Sequence, residues 1–182
     1  MICILGIAGS GKSTQAQLLA KKLKCPLIYT GDILRRDATG EARQQLEAGQ
    51  LVDDNVTLRL LDEELVRQDA KQKQCVLDGS PRSLRQAEWF SERFSSGEIK
   101  FTAIVHMTLD KETARRRLQK RGRGDDADEA VIDQRFKEYD DRMGPVLTYL
   151  GQQGLKVLEV DGSGTIEEVS IKVIKSLGPD AA

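Results

Sequence analysis

Eight residues near the start of the chain, Gly6-Ile7-Ala8-Gly9-Ser10-Gly11-Lys12-Ser13, satisfy the pattern GxxxxGK[ST] at every fixed position, and they dictate much of what must surround them. The run Ile2 to Leu5 just before them is apolar and strand-like. The segment Lys12 to Leu23 after them places Ala16, Leu19, Ala20 and Leu23 on one helical stripe, and Pro26 forbids its continuation. A loop in that setting wraps an anion, because glycines let successive amides turn inward and the helix start adds partial positive charge. Gly6, Gly9, Ser10 and Gly11 supply the backbone, Lys12 a full charge for β- and γ-phosphates, and Ser13 or Thr14 a hydroxyl for Mg²⁺. A turn that merely joins strand to helix is the bland alternative, and it has no use for the Lys-Ser pair. The motif points to nucleoside triphosphate binding and leaves the recipient of the phosphate open.

Short aliphatic runs recur along the chain and alternate with segments of helical period. Strands are expected at Ile2 to Leu5, Leu27 to Tyr29, Cys75 to Asp78, Thr102 to Met107 and Lys156 to Val160. That pattern predicts an α/β fold, a doubly wound five-stranded parallel sheet with helices on both faces. The 182 residues suit one domain. Within it, residues 30–69 form a helical insertion too long for one crossover, helical over Asp32 to Asp69 with breaks at Thr39-Gly40 and Gly49. Further helices are expected over Leu84 to Phe94, Lys111 to Lys120 and Thr165 to Leu177. A long helical stretch from Asp125 to Leu150 is expected to kink or break at Gly144-Pro145, where the ring removes an amide donor.

Composition narrows the function classes. Lys and Arg total 28 against 29 Asp and Glu, a net charge of −1, which argues against a protein holding long nucleic acid by bulk charge. No apolar run is long enough to span a bilayer, and Met1 leads straight into a strand without a basic, apolar leader, so no membrane partner and a cytoplasmic location are expected. Cys3, Cys25 and Cys75 are odd in number and widely spaced, which disfavours a disulfide framework or a zinc site and makes them small buried hydrophobes. His106, the single histidine, lies in the apolar run Phe101 to Met107 and reads as a satisfied core or strand-edge residue.

Five further segments, in order, give the chain its resemblance. They are Tyr29-Thr30-Gly31-Asp32-Ile33-Leu34-Arg35, Gly49-Gln50-Leu51-Val52, Asp78-Gly79-Ser80-Pro81-Arg82 with Gln86, Arg117-Leu118-Gln119-Lys120-Arg121, and Asp125-Asp126 ahead of Arg135. With the phosphate loop they make the whole chain resemble the nucleoside monophosphate kinases, and short-lid adenylate kinases in particular. The resemblance implies an acceptor site in which Arg35 and Arg82 grip the acceptor's α-phosphate with planar, bidentate donors. Thr30, Gln86, Gly79 and the Leu51-Val52 backbone would line the slot for its base. Asp78 would hold Mg²⁺ through water, an arrangement that also accounts for a carboxylate at the end of a buried strand. A turn aspartate before Gly79 is the alternative reading.

Arg115, Arg116, Arg117, Lys120, Arg121 and Arg123 form a cationic run. Arg115 and Arg116 read as a solvated helix face, whereas Arg117 and Arg121 are four apart and share one face. The resemblance implies that Arg117 packs on the donor's adenine and that Arg121 reaches its phosphates. Arg123 and Arg135 would close over the phosphoryl group in flight, with Arg142 as a weaker alternative. Residues 121–128 leave room only for a short lid. Every cysteine lies upstream of it, so no zinc-bearing lid is expected.

Three departures from the family pattern stand out, and the third bears on selectivity. Ala8 stands where proline is usual, Ser13-Thr14 replaces Gly-Thr, and Ser80 replaces a phenylalanine near the acceptor base, which would weaken or widen acceptor selection. Thr30 favours AMP over pyrimidine monophosphates. The expected activity is therefore transfer of the γ-phosphoryl group of Mg-ATP to AMP by a monomer whose partners are small nucleotides. A UMP/CMP or broad-specificity kinase is the alternative within the class. A nucleotide-gated protein-binding module is the alternative outside it, disfavoured by the presence of Arg35 and Arg82.

Overall fold

Ile2 and Ile4 enter one hydrophobic cluster while Cys3 and Leu5 enter another, as the two-residue period of a strand requires, and the layers of the molecule follow from that division. The structure is a computed structural model that describes residues 1–122 and 128–178. In chain order the elements are β1 (Ile2–Gly6), α1 (Lys12–Leu23), β2 (Leu27–Tyr29), α2 (Thr30–Asp37), α3 (Gly40–Glu47), α4 (Asp54–Arg67), β3 (Val76–Asp78), α5 (Leu84–Ser95), β4 (Ala103–Thr108), α6 (Lys111–Arg121), α7 (Glu129–Gln152), β5 (Val157–Asp161) and α8 (Ile166–Leu177).

The strands form one parallel sheet in the order β2-β3-β1-β4-β5. Because β1 sits between β3 and β4, the succession of strands reverses beside it. In open α/β sheets ligands bind at the carboxyl ends of the strands at such a switch point, and here that place is the start of the glycine-rich loop. On one face, Ile2, Ile4, Val76 and Val105 pack against Ala16, Leu19 and Ala20 of α1 and Val169, Val173 and Leu177 of α8. On the other, Cys3, Leu5, Leu77 and Ile104 join a larger cluster drawn from α2, α4, α5 and α7. A third, small cluster of Ile7, Ala114, Leu118, Ile132 and Phe136 lies where the loop, α6 and α7 meet.

Strand positions agree with the sequence expectation to within a residue at each end. The insertion is three helices, parted at Ala38-Thr39 and after Gly49 as expected, although α2 starts at Thr30 and not Asp32. Cys25 departs from expectation: it is only half-buried, following the left-handed Lys24 that ends α1, whereas Cys3 and Cys75 are fully buried. The larger difference is α7, which runs unbroken through Gly144-Pro145. Within a helix proline's ring crowds the carbonyl four residues back and the amide and Cβ of the residue before it, and Gly144 removes the Cβ part of that crowding. Met143, Val146 and Leu150 are buried in the main core on either side, so packing holds the helix across the one missing bond.

Candidate active site

The loop between β1 and α1 keeps the phosphate-binding form. Gly9 has φ +83, and a Cβ there would stand 2.4 Å from the Ala114 carbonyl oxygen, so the loop can lie on α6 only with glycine at this point. Gly11 caps α1 without a side-chain hydrogen bond, and the first turn of α1 has no acidic residue. Its leading amides are therefore left for an external anion. Lys12 donates to the Ile7 carbonyl at 3.3 Å, folding its ammonium over the loop. Burial pushes that ammonium down to about 8; Arg82, Arg121 and Arg135 press in the same direction, and Asp78 opposes them. Lys12 is thus the focus of a cationic cluster awaiting negative charge.

A cleft of about 400 Å³ opens from the loop toward the insertion. Along its walls lie Gly6, Lys12, Ser13, Thr14, Thr30, Arg35, Leu51, Val52, Asp78, Gly79, Ser80, Arg82, Gln86, Arg121 and Arg135, residues far apart in the chain. Parallel pairing of Tyr29 with Asp78 puts Thr30 and Gly79 side by side at the strand ends. Arg35 is held by Asp32, one turn earlier in α2. Arg82 turns back so that its Nε donates to the Gly79 carbonyl at 2.5 Å. A Cβ on Gly79 would meet the Arg82 guanidinium at 2.7 Å, so the glycine makes that fold-back possible. Gln86 is buried; its Oε1 accepts from the Arg82 amide at 2.9 Å and its Nε2 donates to Asp54 at 2.8 Å, which fixes the direction of the side-chain amide. Three buried polar atoms on this cleft have no hydrogen-bond partner: Asp78 Oδ1, Thr30 Oγ1 and Ser80 Oγ. Unsatisfied buried groups are costly, and their gathering in one cleft marks it as a place for a polar ligand.

A second cleft, of about 440 Å³, lies across the loop toward α8. Gly9, Ser10, Gly11 and Arg117 line it, and Lys12, Ser13, Thr14 and Arg121 belong to both clefts. Arg117 donates to the carbonyls of Gly162 at 3.1 Å, Ser10 at 3.4 Å and Gly164 at 3.5 Å, which pins its guanidinium across the cleft.

The arginine run divides differently from the sequence expectation at one point. Arg115 is more than a solvated charge: at the surface it pairs with Glu129 and Asp133 and lies over the Phe136 ring, tying α6 to α7. Arg116 remains exposed and donates to Thr113 Oγ1, one turn earlier, at 3.0 Å. Arg135 lines the first cleft, whereas Arg142 is engaged by Glu138 at 2.7 Å and lines neither. Arg123, the acidic pair Asp125-Asp126 and most of the expected lid at 121–128 lie outside the described residues.

Sequence reasoning missed two parts of this site. Asp54, the first residue of α4, accepts from both Ser83 Oγ and Gln86 Nε2 and so connects the insertion to α5. Nothing in Asp53-Asp54 distinguishes it from an ordinary helix start, where Asp53 does act as the cap. The Gly162-Ser163-Gly164 turn after β5 supplies the carbonyls that hold Arg117; its glycines at the end of a parallel strand were the available signal.

A phosphate-binding loop at a switch point, flanked by two clefts that share its lysine and hydroxyls, defines a phosphate-loop nucleotide phosphotransferase. Comparison with known proteins takes this further. The sequence model described as "Adenylate kinase" matches residues 4–155. Proteins named adenylate kinase are 38% identical in Mycolicibacterium vanbaalenii, 37% in Mycobacterium tuberculosis strain H37Rv and 36% in Mycobacterium ulcerans, each match covering 97% of this chain and 98% of the relative. The chain belongs to the adenylate kinase family, whose reaction transfers a phosphoryl group from ATP to AMP and gives two ADP.

Proposed function

We propose that the first cleft holds the acceptor and the second the donor, and that the chain carries out the family's transfer between them. The observation that carries this assignment is the shared floor: Lys12, Ser13, Thr14 and Arg121 face both clefts, so phosphates entering from either side meet over the same charges. Catalysis is then positional and electrostatic. An oxygen of the acceptor's α-phosphate attacks the γ-phosphorus, the bond from that phosphorus to its bridging oxygen breaks, and ADP leaves from each side. Arg35 and Arg82 hold the acceptor phosphate, Lys12, Arg121 and Arg135 neutralise the group in transit, and Gly6 to Gly11 cradle the donor with their amides. Arg117 offers the donor's base a flat cationic face. Thr30, Gln86 and the Leu51-Val52 segment border the acceptor's base. Arg123 is assigned to the transferring group by resemblance alone.

The donor set suits a magnesium ion. Asp78 Oδ1 is buried without a partner, and the hydroxyls of Ser13 and Thr14 border the same cleft. These residues would hold the ion, Asp78 through water. When bound, it supplies positive charge that offsets the charge of the donor's phosphate oxygens. Among the described residues no group of three or more His, Cys, Asp and Glu is placed to hold a metal ion. No described helix is long and apolar enough to cross a membrane.

The test is a panel of nucleoside monophosphates assayed by ADP release, with and without magnesium, repeated with Ser80→Phe. AMP as the best acceptor with magnesium, and no turnover after chelation, is expected. Pyrimidine acceptors outpacing AMP would reassign the chain within its class. A wild-type profile in Ser80→Phe would show that the small residue does not set selectivity.

A further inference from the structure

His106 sits on β4 between Leu5 of β1 and Glu159 of β5, one residue below the point where β1 opens into the phosphate loop. It is 8% exposed, and a polar ring at that depth is costly unless its nitrogens are satisfied. Nε2 lies 2.6 Å from the Tyr139 hydroxyl, and the two rings are nearly parallel, 22° apart with centroids at 6.2 Å. Nδ1 faces Glu159, 3.8 Å from its Oε1. With the ring proton on Nδ1, on the side of that carboxylate, Nε2 accepts from the tyrosine. Burial lowers the imidazole's affinity for a second proton, against the pull of Glu159, and pushes the Tyr139 hydroxyl up to about 12, so both groups remain neutral near pH 7.

Tyr139 is the link to the chemistry. It lies on α7 one turn after Arg135, lines the same cleft, and packs against both the main core and the small cluster containing Ile7. Arg135 in turn acts electrostatically on Lys12 and on Arg82. Apolar packing already holds α7 on the core, and a short hydrogen bond from a strand adds a directional constraint on its depth and rotation. Elsewhere α7 is tied near its start by Arg115 to Glu129 and Asp133, and beside Tyr139 by Lys111 to Asp140. Among the described residues, the tyrosine bond is the hydrogen bond that reaches α7 from the sheet beneath the phosphate loop.

We propose that His106 is a positioning residue for phosphoryl transfer: by accepting the Tyr139 hydroxyl proton it locks α7 to β4 and sets Arg135 at the correct depth over Lys12. The inference rests on the assignment of Arg135 to the transferring group. It makes three mutational demands. His106→Phe keeps the ring and loses the bond, Tyr139→Phe removes a single oxygen, and His106→Gln retains a polar atom near the place of Nε2.

The experiment compares steady-state rates and melting temperatures for these three variants, the double His106→Phe/Tyr139→Phe variant and Arg135→Ala. Misplacement of a catalytic group by a fraction of an ångström predicts a fall in kcat of about tenfold for each Phe variant, with KM for both nucleotides within about twofold of wild type. The double variant should be no slower than either single, and His106→Gln should recover most of the rate. The lone histidine also gives one imidazole resonance, which should shift when both clefts are filled. Phe variants with wild-type kcat, a double variant slowed by the product of the singles, or a Gln variant as slow as Phe would overturn the proposal. Arg135→Ala separates the two layers: if it is slow while the Phe variants are not, the lock fails alone, and if it turns over normally the assignment of Arg135 fails and the lock with it.

Discussion

At the scale of the residue, Lys12 is the most revealing side chain in the molecule. Burial, against the pull of Asp78 and with three arginines acting in the same direction, pushes its ammonium down to about 8, so an arriving phosphate chain raises its proton affinity again. Nucleotide binding near pH 8 should therefore take up protons, seen as a dependence of calorimetric heat on the buffer's ionisation enthalpy. Lys12→Met should lose that dependence and reduce transfer by at least about 100-fold, leaving the fold intact. Buffer-independent heats in the wild type would contradict the account. Lys12 was legible in the sequence because its motif fixes backbone as well as side chain. Asp54 was not, because its importance comes from Ser83 and Gln86, which only the folded chain brings to it. Asp54→Ala leaves two buried donors without their acceptor, and we expect KM for the acceptor to rise about tenfold with KM for ATP unchanged. Equal effects on the two substrates would instead indicate general loosening.

The three-helix insertion shows how an element can be held by a buried charge. Glu64 on α4 is 5% exposed and is met by Arg36 from α2 together with Arg67 and Gln68 from its own helix end. Arg67 first, then Gln68 and Arg36, bring its carboxyl from 4.5 down to about 2, against the effect of burial. A depressed carboxylate stabilises the fold above its unfolded value and loses that contribution as pH falls. Glu64→Gln should thus melt lower than wild type at pH 7, by about 1–3 kcal/mol, and the difference should shrink between pH 4.5 and about 2. A gap that is constant with pH would point to packing and not to charge. Element boundaries were largely readable, since Pro26, Thr39-Gly40 and Gly49 interrupt helical periodicity locally. The continuity of α7 was not, because Met143, Val146 and Leu150 override a local rule through contacts remote in sequence. The same holds for Arg115, whose partners Glu129 and Asp133 are on another helix.

Across the whole molecule, a net charge of −1 conceals a strongly directed field. Lys12, Arg35, Arg82, Arg121 and Arg135 line one cleft against Asp32, Asp78 and Glu138, so the cleft carries an excess of positive charge that the whole chain lacks. Filling both clefts with one molecule, two adenosines joined through a chain of phosphates, should raise the melting temperature well beyond ATP or AMP alone at equal concentration. Occupancy at about 100 times its dissociation constant adds about 2.7 kcal/mol. Arg82→Ala should remove most of the excess of the joined ligand over ATP. A joined ligand no better than ATP would favour a single-nucleotide switch over a two-substrate enzyme.

The floor common to both clefts has an arithmetical consequence. Lys12, Ser13, Thr14 and Arg121 line both clefts, so with the proposed placement of acceptor and donor they serve phosphates from either partner. A triphosphate beside a monophosphate and two diphosphates lay down the same total along the floor. Two triphosphates exceed it, and two monophosphates leave it part empty. A protein built this way counts phosphates across a pair of ligands, and the pairings it can interconvert are those whose counts agree.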